Sequence, residues 1–124
     1  MQRQPCPPPH WSDCTVLVVE NNARVAMDLA ERLESCTLKV LGPAWSVGSA
    51  LLLLERERPN AAILDLSFGN EALASVVRQL QAMGVPFILY TTEDALSINL
   101  GPVRVIRKPV KDTELWNALA EVLH

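Results

Sequence analysis

Hydrophobic and polar positions along the chain follow two periods. Short strand-like runs recur at 15–19, 37–41, 61–64 and 86–90, and the run at 61–64 is apolar without alternation. Residues 61–64, Ala-Ala-Ile-Leu, lead straight into Asp65. Such a run reads as a strand buried on both faces, as in a parallel sheet covered by helices. Lys39 places the second run near a sheet edge, and Gly42-Pro43 is read as its end. Residues 103–106 alternate, as an edge strand does.

Between the strands the period changes to that of a helix. Val25, Ala26, Leu29, Ala30 and Leu33 make one apolar stripe, and Val47, Ala50, Leu51 and Leu54 a second. Leu73, Val76, Val77, Leu80 and Met83 make a third, and Leu115, Ala118, Leu119 and Val122 the last. Asn22, Ser46 and Asp112 are placed to cap helix N-termini, Gly84 to follow a C-terminus, and Pro59 to stop the second helix. Residues 94–101 give a weak signal, so a fourth helix there is expected to be short or irregular. The order is strand–helix repeated five times. It predicts an α/β fold, with a parallel sheet, helices on both faces and right-handed crossovers. The last helix carries a further stripe, Trp116, Ala120 and Leu123, which is either extra core or a partner surface; the inward stripe being complete, the partner surface is the reading taken.

Length and charge narrow the picture. The chain has 124 residues, enough for one domain with one core. Residues 1–13, with Pro5, Pro7, Pro8 and Pro9, read as a flexible tail, with Trp11 as its exception; the folded domain is expected over 14–124. A net charge of −3 argues against nucleic acid or an anionic membrane as partner. The longest fully apolar run, 50–54, is far too short to cross a bilayer. The N-terminus does not read as a signal peptide, and Cys6, Cys14 and Cys36 lack metal-ligand spacing. A cytoplasmic protein is expected.

Candidate chemistry gathers where the strands end. The first strand delivers Glu20 and Asn21, the third Asp65, the fourth Thr91 and Thr92, the fifth Lys108. In open α/β sheets ligands bind outside the carboxyl ends of the strands. Each residue also has a plainer reading. Asp65 could cap the following loop, Glu20 or Asn21 the first helix; Thr91 could merely end its strand, and Lys108 could be a solvated loop lysine. His10 and His124 carry no signal.

The segments Val18-Val19-Glu20-Asn21, Ile63-Leu64-Asp65-Leu66, Leu89-Tyr90-Thr91-Thr92 and Arg107-Lys108-Pro109 resemble, in this order and spacing, a response regulator receiver domain. The resemblance covers about residues 14–124. It implies a doubly wound, flavodoxin-like sheet in the order 2-1-3-4-5. It also implies a phosphorelay role, in which Asp65 accepts a phosphoryl group from a histidine kinase or phosphotransfer protein and so switches the binding of an output protein. Thr91 and Lys108 would serve the phosphoryl oxygens, Lys108 pairing first with Asp65. Mg²⁺ would be held by Asp65, Asn21 and the backbone carbonyl of Ser67, with Glu20 acting mainly through water. No turnover of an external substrate is expected, so the chain is read as a non-enzyme.

Departures from the family qualify this. Receivers usually carry an acidic pair after the first strand, and Asn21 replaces the second acid, so weaker Mg²⁺ binding is expected. Thr92 stands where a small residue is usual, and Val105 where an aromatic is common. The stretch from Thr91 to Lys108 reads as about one helical turn (~4 residues) short. The output face, which in the family includes the fifth strand and last helix and can form a homodimer, must differ here. The alternative reading is a pseudo-receiver, an interaction module independent of phosphorylation. An aspartate-nucleophile phosphatase fits less well, since Ser67 stands where its second acid would be. A flavin-binding domain is lower still, as no phosphate loop follows the first strand.

Overall fold

The computed structural model describes Trp11, residues 13–91 and residues 104–123. Five strands, β1 (Thr15–Val19), β2 (Lys39–Ala44), β3 (Ala61–Asp65), β4 (Phe87–Thr91) and β5 (Arg104–Arg107), form one sheet in the order β2-β1-β3-β4-β5. All pairs are parallel. The helices among the described residues are α1 (Ala23–Ser35), α2 (Val47–Arg56), α3 (Asn70–Ala82) and α4 (Asp112–Val122). The doubly wound sheet in the order 2-1-3-4-5 is therefore the observed fold. The expected helix around 94–101, and Thr92, lie outside the described residues.

The pleat divides each strand between two cores. Val16, Val18, Ala61, Ile63, Ile88 and Ile106 face α1 and α4, where they meet Leu29, Leu33, Leu115 and Leu119. Leu17, Val19, Ala62, Leu64 and Leu89 face α2 and α3, where they meet Ala50, Leu54, Leu73, Val76 and Leu80. This two-sided burial is why the central strands lack polar alternation. Trp11 joins the first core with 2 % of its surface exposed. The folded body thus reaches back at least to Trp11, ahead of the expected start at 14.

The helix ends follow local chemistry. Asn22 accepts from the Val25 amide and Ser46 from the Ser49 amide, each satisfying a donor that the first turn leaves open. Gly84, at φ 69°, closes α3 in a left-handed turn, with the Val85 amide donating to the Leu80 carbonyl at 2.8 Å.

Three expectations need correction. Gly42-Pro43 does not end β2, which continues to Ala44. The register with β1 jumps from Leu17↔Leu41 to Val19↔Ala44, so an extra residue bulges out of β2. Gly42 takes φ 100° there, and a Cβ would meet the Ala44 nitrogen at 2.6 Å. Proline is tolerated because β2 is an edge strand, where a missing ladder donor costs little. Asp112 is the first residue of α4, and Lys111 holds the capping position without a side-chain bond. Nor is the second stripe of α4 a free surface. Leu123 is buried and Trp116 packs against the α1–α4 core, leaving Ala120 exposed. Leu123 still donates its amide to the Leu119 carbonyl at 2.7 Å and lies one and two turns beyond the buried Leu119 and Leu115, so it shares their face.

Candidate functional site

The carboxyl edge of the sheet is built from the first residue after β1, the last of β3, the last of β4 and the first after β5. These are Glu20, Asp65, Thr91 and Lys108. Glu20 and Asp65 are each 1 % exposed and Thr91 2 %. The bulge in β2 serves this edge, because it brings the Ala44 carbonyl to the Glu20 amide at 3.0 Å. Bulges recur beside functional sites because they re-aim one residue without breaking the sheet.

Lys108 bridges the two acids. Its Nζ donates to Oε2 of Glu20 at 2.7 Å and to Oδ1 of Asp65 at 3.2 Å. The Lys108 amide donates to the Thr91 carbonyl at 2.8 Å, so β4 and β5 end together. Asp65 also accepts from the Ser67 amide at 2.9 Å on Oδ1 and from the Ser67 hydroxyl at 2.5 Å on Oδ2. Glu20 Oε1 accepts from the Asn22 amide at 3.0 Å. Asn22, not Glu20 or Asn21, caps α1, and Asn21, the residue after Glu20, is exposed.

Burial raises both carboxyls, with opposite net results. Glu20 stays above its ordinary value, because burial and the neighbouring Asp65 outweigh the bonds from Lys108 and Asn22. Asp65 is also pushed up by burial, but Ser67, Glu20 and Lys108 together hold it below its ordinary value. The acid with more donors is the stronger acid. Lys108 is lowered by burial and raised more by its bonds to the two carboxylates, so its ammonium is held above the usual range. At neutral pH the cluster is an anionic Asp65 beside a fixed cation.

Two supporting contacts had no signal in the sequence. The Lys108 ammonium lies 5.0 Å from the centre of the Tyr90 ring, a cation–π distance. Arg32 of α1 donates to the Val110 carbonyl at 2.6 Å and pairs with Asp28 at 2.9 Å and Asp112 at 3.3 Å. It thereby ties down the loop that carries Lys108. Both contacts join residues far apart in the chain, and only the aromatic just before Thr91 on a buried strand could have hinted at one.

The residues present fit a hard divalent ion. Glu20 and Asp65 are carboxylates facing one ammonium, which leaves the cluster one negative charge in excess. The Asn21 amide and the Ser67 carbonyl are further oxygen donors at the same edge. Mg²⁺ favours such a set and keeps several waters. Val105, where the family often has an aromatic, packs into the α2–α3 core.

No family model matches the chain, and no curated protein matches it. Solved structures do. The BeF3-activated conformation of SdrG from Pseudomonas melonis Fr1 is 30 % identical, with a TM-score of 0.76, and the match covers 89 % of this chain and 96 % of that one. A response regulator receiver protein from Burkholderia phymatum is 26 % identical, with a TM-score of 0.76 and coverage of 89 % and 94 %. The response regulator PhyR from Brucella abortus, 22 % identical with a TM-score of 0.76, shares the fold. The match covers 98 % of this chain and 49 % of that PhyR, so the chain spans about half its length. Fold, strand order and similarity agree: the chain belongs to the response regulator receiver family.

Proposed function

We propose that the chain is a phospho-accepting receiver in a two-component phosphorelay. One observation carries this reading. Asp65 is a buried carboxylate at the end of the central strand, kept ionised by Lys108 at 3.2 Å and by the amide and hydroxyl of Ser67. A carboxylate nucleophile needs this ionised state at neutral pH. The transfer moves a phosphoryl group from a phosphohistidine nitrogen to an Asp65 oxygen. The P–N bond breaks, and its electron pair stays on the imidazole. Lys108 neutralises charge on the phosphoryl oxygens, and the Thr91 hydroxyl, at the end of β4, donates to another. Mg²⁺, held by Asn21, Asp65 and the Ser67 carbonyl with Glu20 acting mainly through water, would supply further charge neutralisation.

The donor would be a histidine kinase or phosphotransfer protein, and the effect the binding of an output partner. The chain would turn over no external substrate. Among the described residues no helix is long and apolar enough to cross a membrane, which accords with the cytoplasmic location we assign. A homodimer across β5 and α4 would rest chiefly on Trp116 and Ala120, because Leu123 belongs to the core. The BeF3-activated conformation of SdrG supports the switch, since bound beryllofluoride has the shape of a phosphoryl group.

Incubation with acetyl phosphate and Mg²⁺, read by intact mass, tests the proposal. A phosphate adduct that disappears in Asp65→Asn is expected. Absence of an adduct from the wild type would instead favour the pseudo-receiver, a reading that Asn21 motivates because it removes one metal-binding charge.

A further inference from the structure

Lys108 has to cross a strand to reach the two acids. It follows β5, whereas Asp65 ends β3 and Glu20 follows β1, so its side chain runs back over the end of β4. Tyr90 stands at that crossing. It is the register partner of Ile106 on β5 and of Asp65 on β3. It belongs to the α1–α4 core and is 3 % exposed. The Lys108 ammonium lies 5.0 Å from the centre of its ring, within the range over which a ring face attracts a cation. The Lys108 side chain is 13 % exposed, so little water screens the contact. The phenol end of Tyr90 is fixed as well, by a hydrogen bond to the Val110 backbone, and the Val110 carbonyl in turn accepts from Arg32.

We infer that Tyr90 is a positioning residue for phosphoryl uptake, its ring face keeping the Lys108 ammonium beside Asp65 and ready for the phosphoryl oxygens. The inference rests on the phosphoacceptor reading above. Two of the three N–H groups of Nζ go to Glu20 and Asp65. A further acid in place of the ring would take the third and add negative charge where a phosphoryl group must approach. The ring has no net charge, and at 5.0 Å it attracts the ammonium without occupying an N–H. The third N–H stays available to a phosphoryl oxygen. The ring also opposes Glu20, which at 2.7 Å draws the ammonium more closely than Asp65 does at 3.2 Å. Tyr90 is next to Asp65 in the sheet, while the strand that leads to Glu20 lies beyond β3. In the step it serves, an Asp65 oxygen bonds to phosphorus and the donor leaves with the electrons of its own bond to phosphorus. Lys108 stays protonated, and no proton passes to or from Tyr90.

The charge pattern of a ring can be changed with little change in its size, which separates this role from a merely structural one. The experiment compares wild type, Tyr90→Leu, Tyr90→Phe and a series with one, two or three fluorines on the phenylalanine ring at position 90. Fluorine withdraws electrons and weakens the negative ring face step by step. Each protein is incubated with acetyl phosphate and Mg²⁺, and the rate of phosphoryl uptake is read by intact mass. Tyr90→Phe, which keeps the ring face, should take up phosphoryl near the wild-type rate. The three-fluorine ring should slow uptake about five-fold, the worth of one such contact, with the other fluorinated rings in between. Tyr90→Leu should be as slow as the three-fluorine ring; if it fails to fold, the fluorine series decides alone. A residue that only filled the core would leave that series flat. A flat series, or Tyr90→Phe far slower than wild type, or a folded Tyr90→Leu at the wild-type rate, overturns the role of Tyr90 and leaves the phosphoacceptor reading standing. No adduct in wild type or any variant overturns both.

Discussion

Lys108 lies closer to Glu20 than to Asp65, at 2.7 Å against 3.2 Å. The side chains of both acids are 1 % exposed, so this single ammonium compensates two buried carboxylates. Removing one partner of a buried pair leaves an uncompensated charge and typically costs ~3–5 kcal/mol. Lys108→Met should therefore lose roughly that much stability at neutral pH in urea unfolding. Adding Glu20→Gln should recover part of the loss, because it removes one of the two stranded charges. A double variant as unstable as Lys108→Met, or less stable, would contradict this account of the cluster.

Alkaline pH should unfold the protein through the same corner. Lys108 is held above its ordinary value by the two carboxylates, and burial does the same to the Tyr90 phenol. Both groups bind their protons more tightly folded than unfolded. Their contribution to stability is complete below about pH 10 and is lost as pH rises through the raised values. Melting temperatures taken between about pH 9 and pH 11 should fall steeply for wild type and less steeply for Tyr90→Phe, which keeps the ring and drops the phenol. Parallel curves would show that Tyr90 contributes nothing to the effect.

Metal affinity should respond to Asn21. Asn21 is exposed, directly follows the buried Glu20 and brings no charge. Asn21→Asp is expected to tighten Mg²⁺ binding on the order of tenfold, since the charge count of the ligands tunes affinity for hard cations. Titration followed by tryptophan fluorescence or calorimetry reads this, and equal affinities would refute it.

Trp11 should matter to stability although it follows a proline-rich stretch. It is a large, fully packed side chain of the α1–α4 core. Trp11→Ala is expected to cost ~3–5 kcal/mol in denaturant unfolding, as large-to-small core changes do. A cost within ~0.5 kcal/mol, the range of an ordinary surface change, would mean that the side chain does not stay docked.

The parts of this molecule that depend on periodicity were readable in the sequence. The run into Asp65, the four helix stripes and the caps at Asn22 and Ser46 all state their structure within a few residues. What depends on distant neighbours was not. Gly42-Pro43 looks like a stop, and only its place on an edge strand lets β2 run on to Ala44. Leu123 looks like surplus apolar surface, yet it completes the face of Leu115 and Leu119 against the core. Glu20 and Lys108 are 88 residues apart and follow strands separated by β3 and β4, so their pairing appears only once the sheet assembles and the long lysine side chain reaches along its carboxyl edge. The Ser67 hydroxyl was hidden differently. It is two residues from Asp65, and nothing in the chain announces that it turns back onto the carboxylate.

Pro43 has a consequence beyond the site. It sits on β2, one of the two outer strands, where unpaired amides and carbonyls could template a strand from another molecule. Proline has no amide hydrogen to offer, and the bulge beside it twists that rim out of register. The opposite rim, β5, is only four residues long. The same irregularity that aims Glu20 therefore guards the sheet against growing into a fibre.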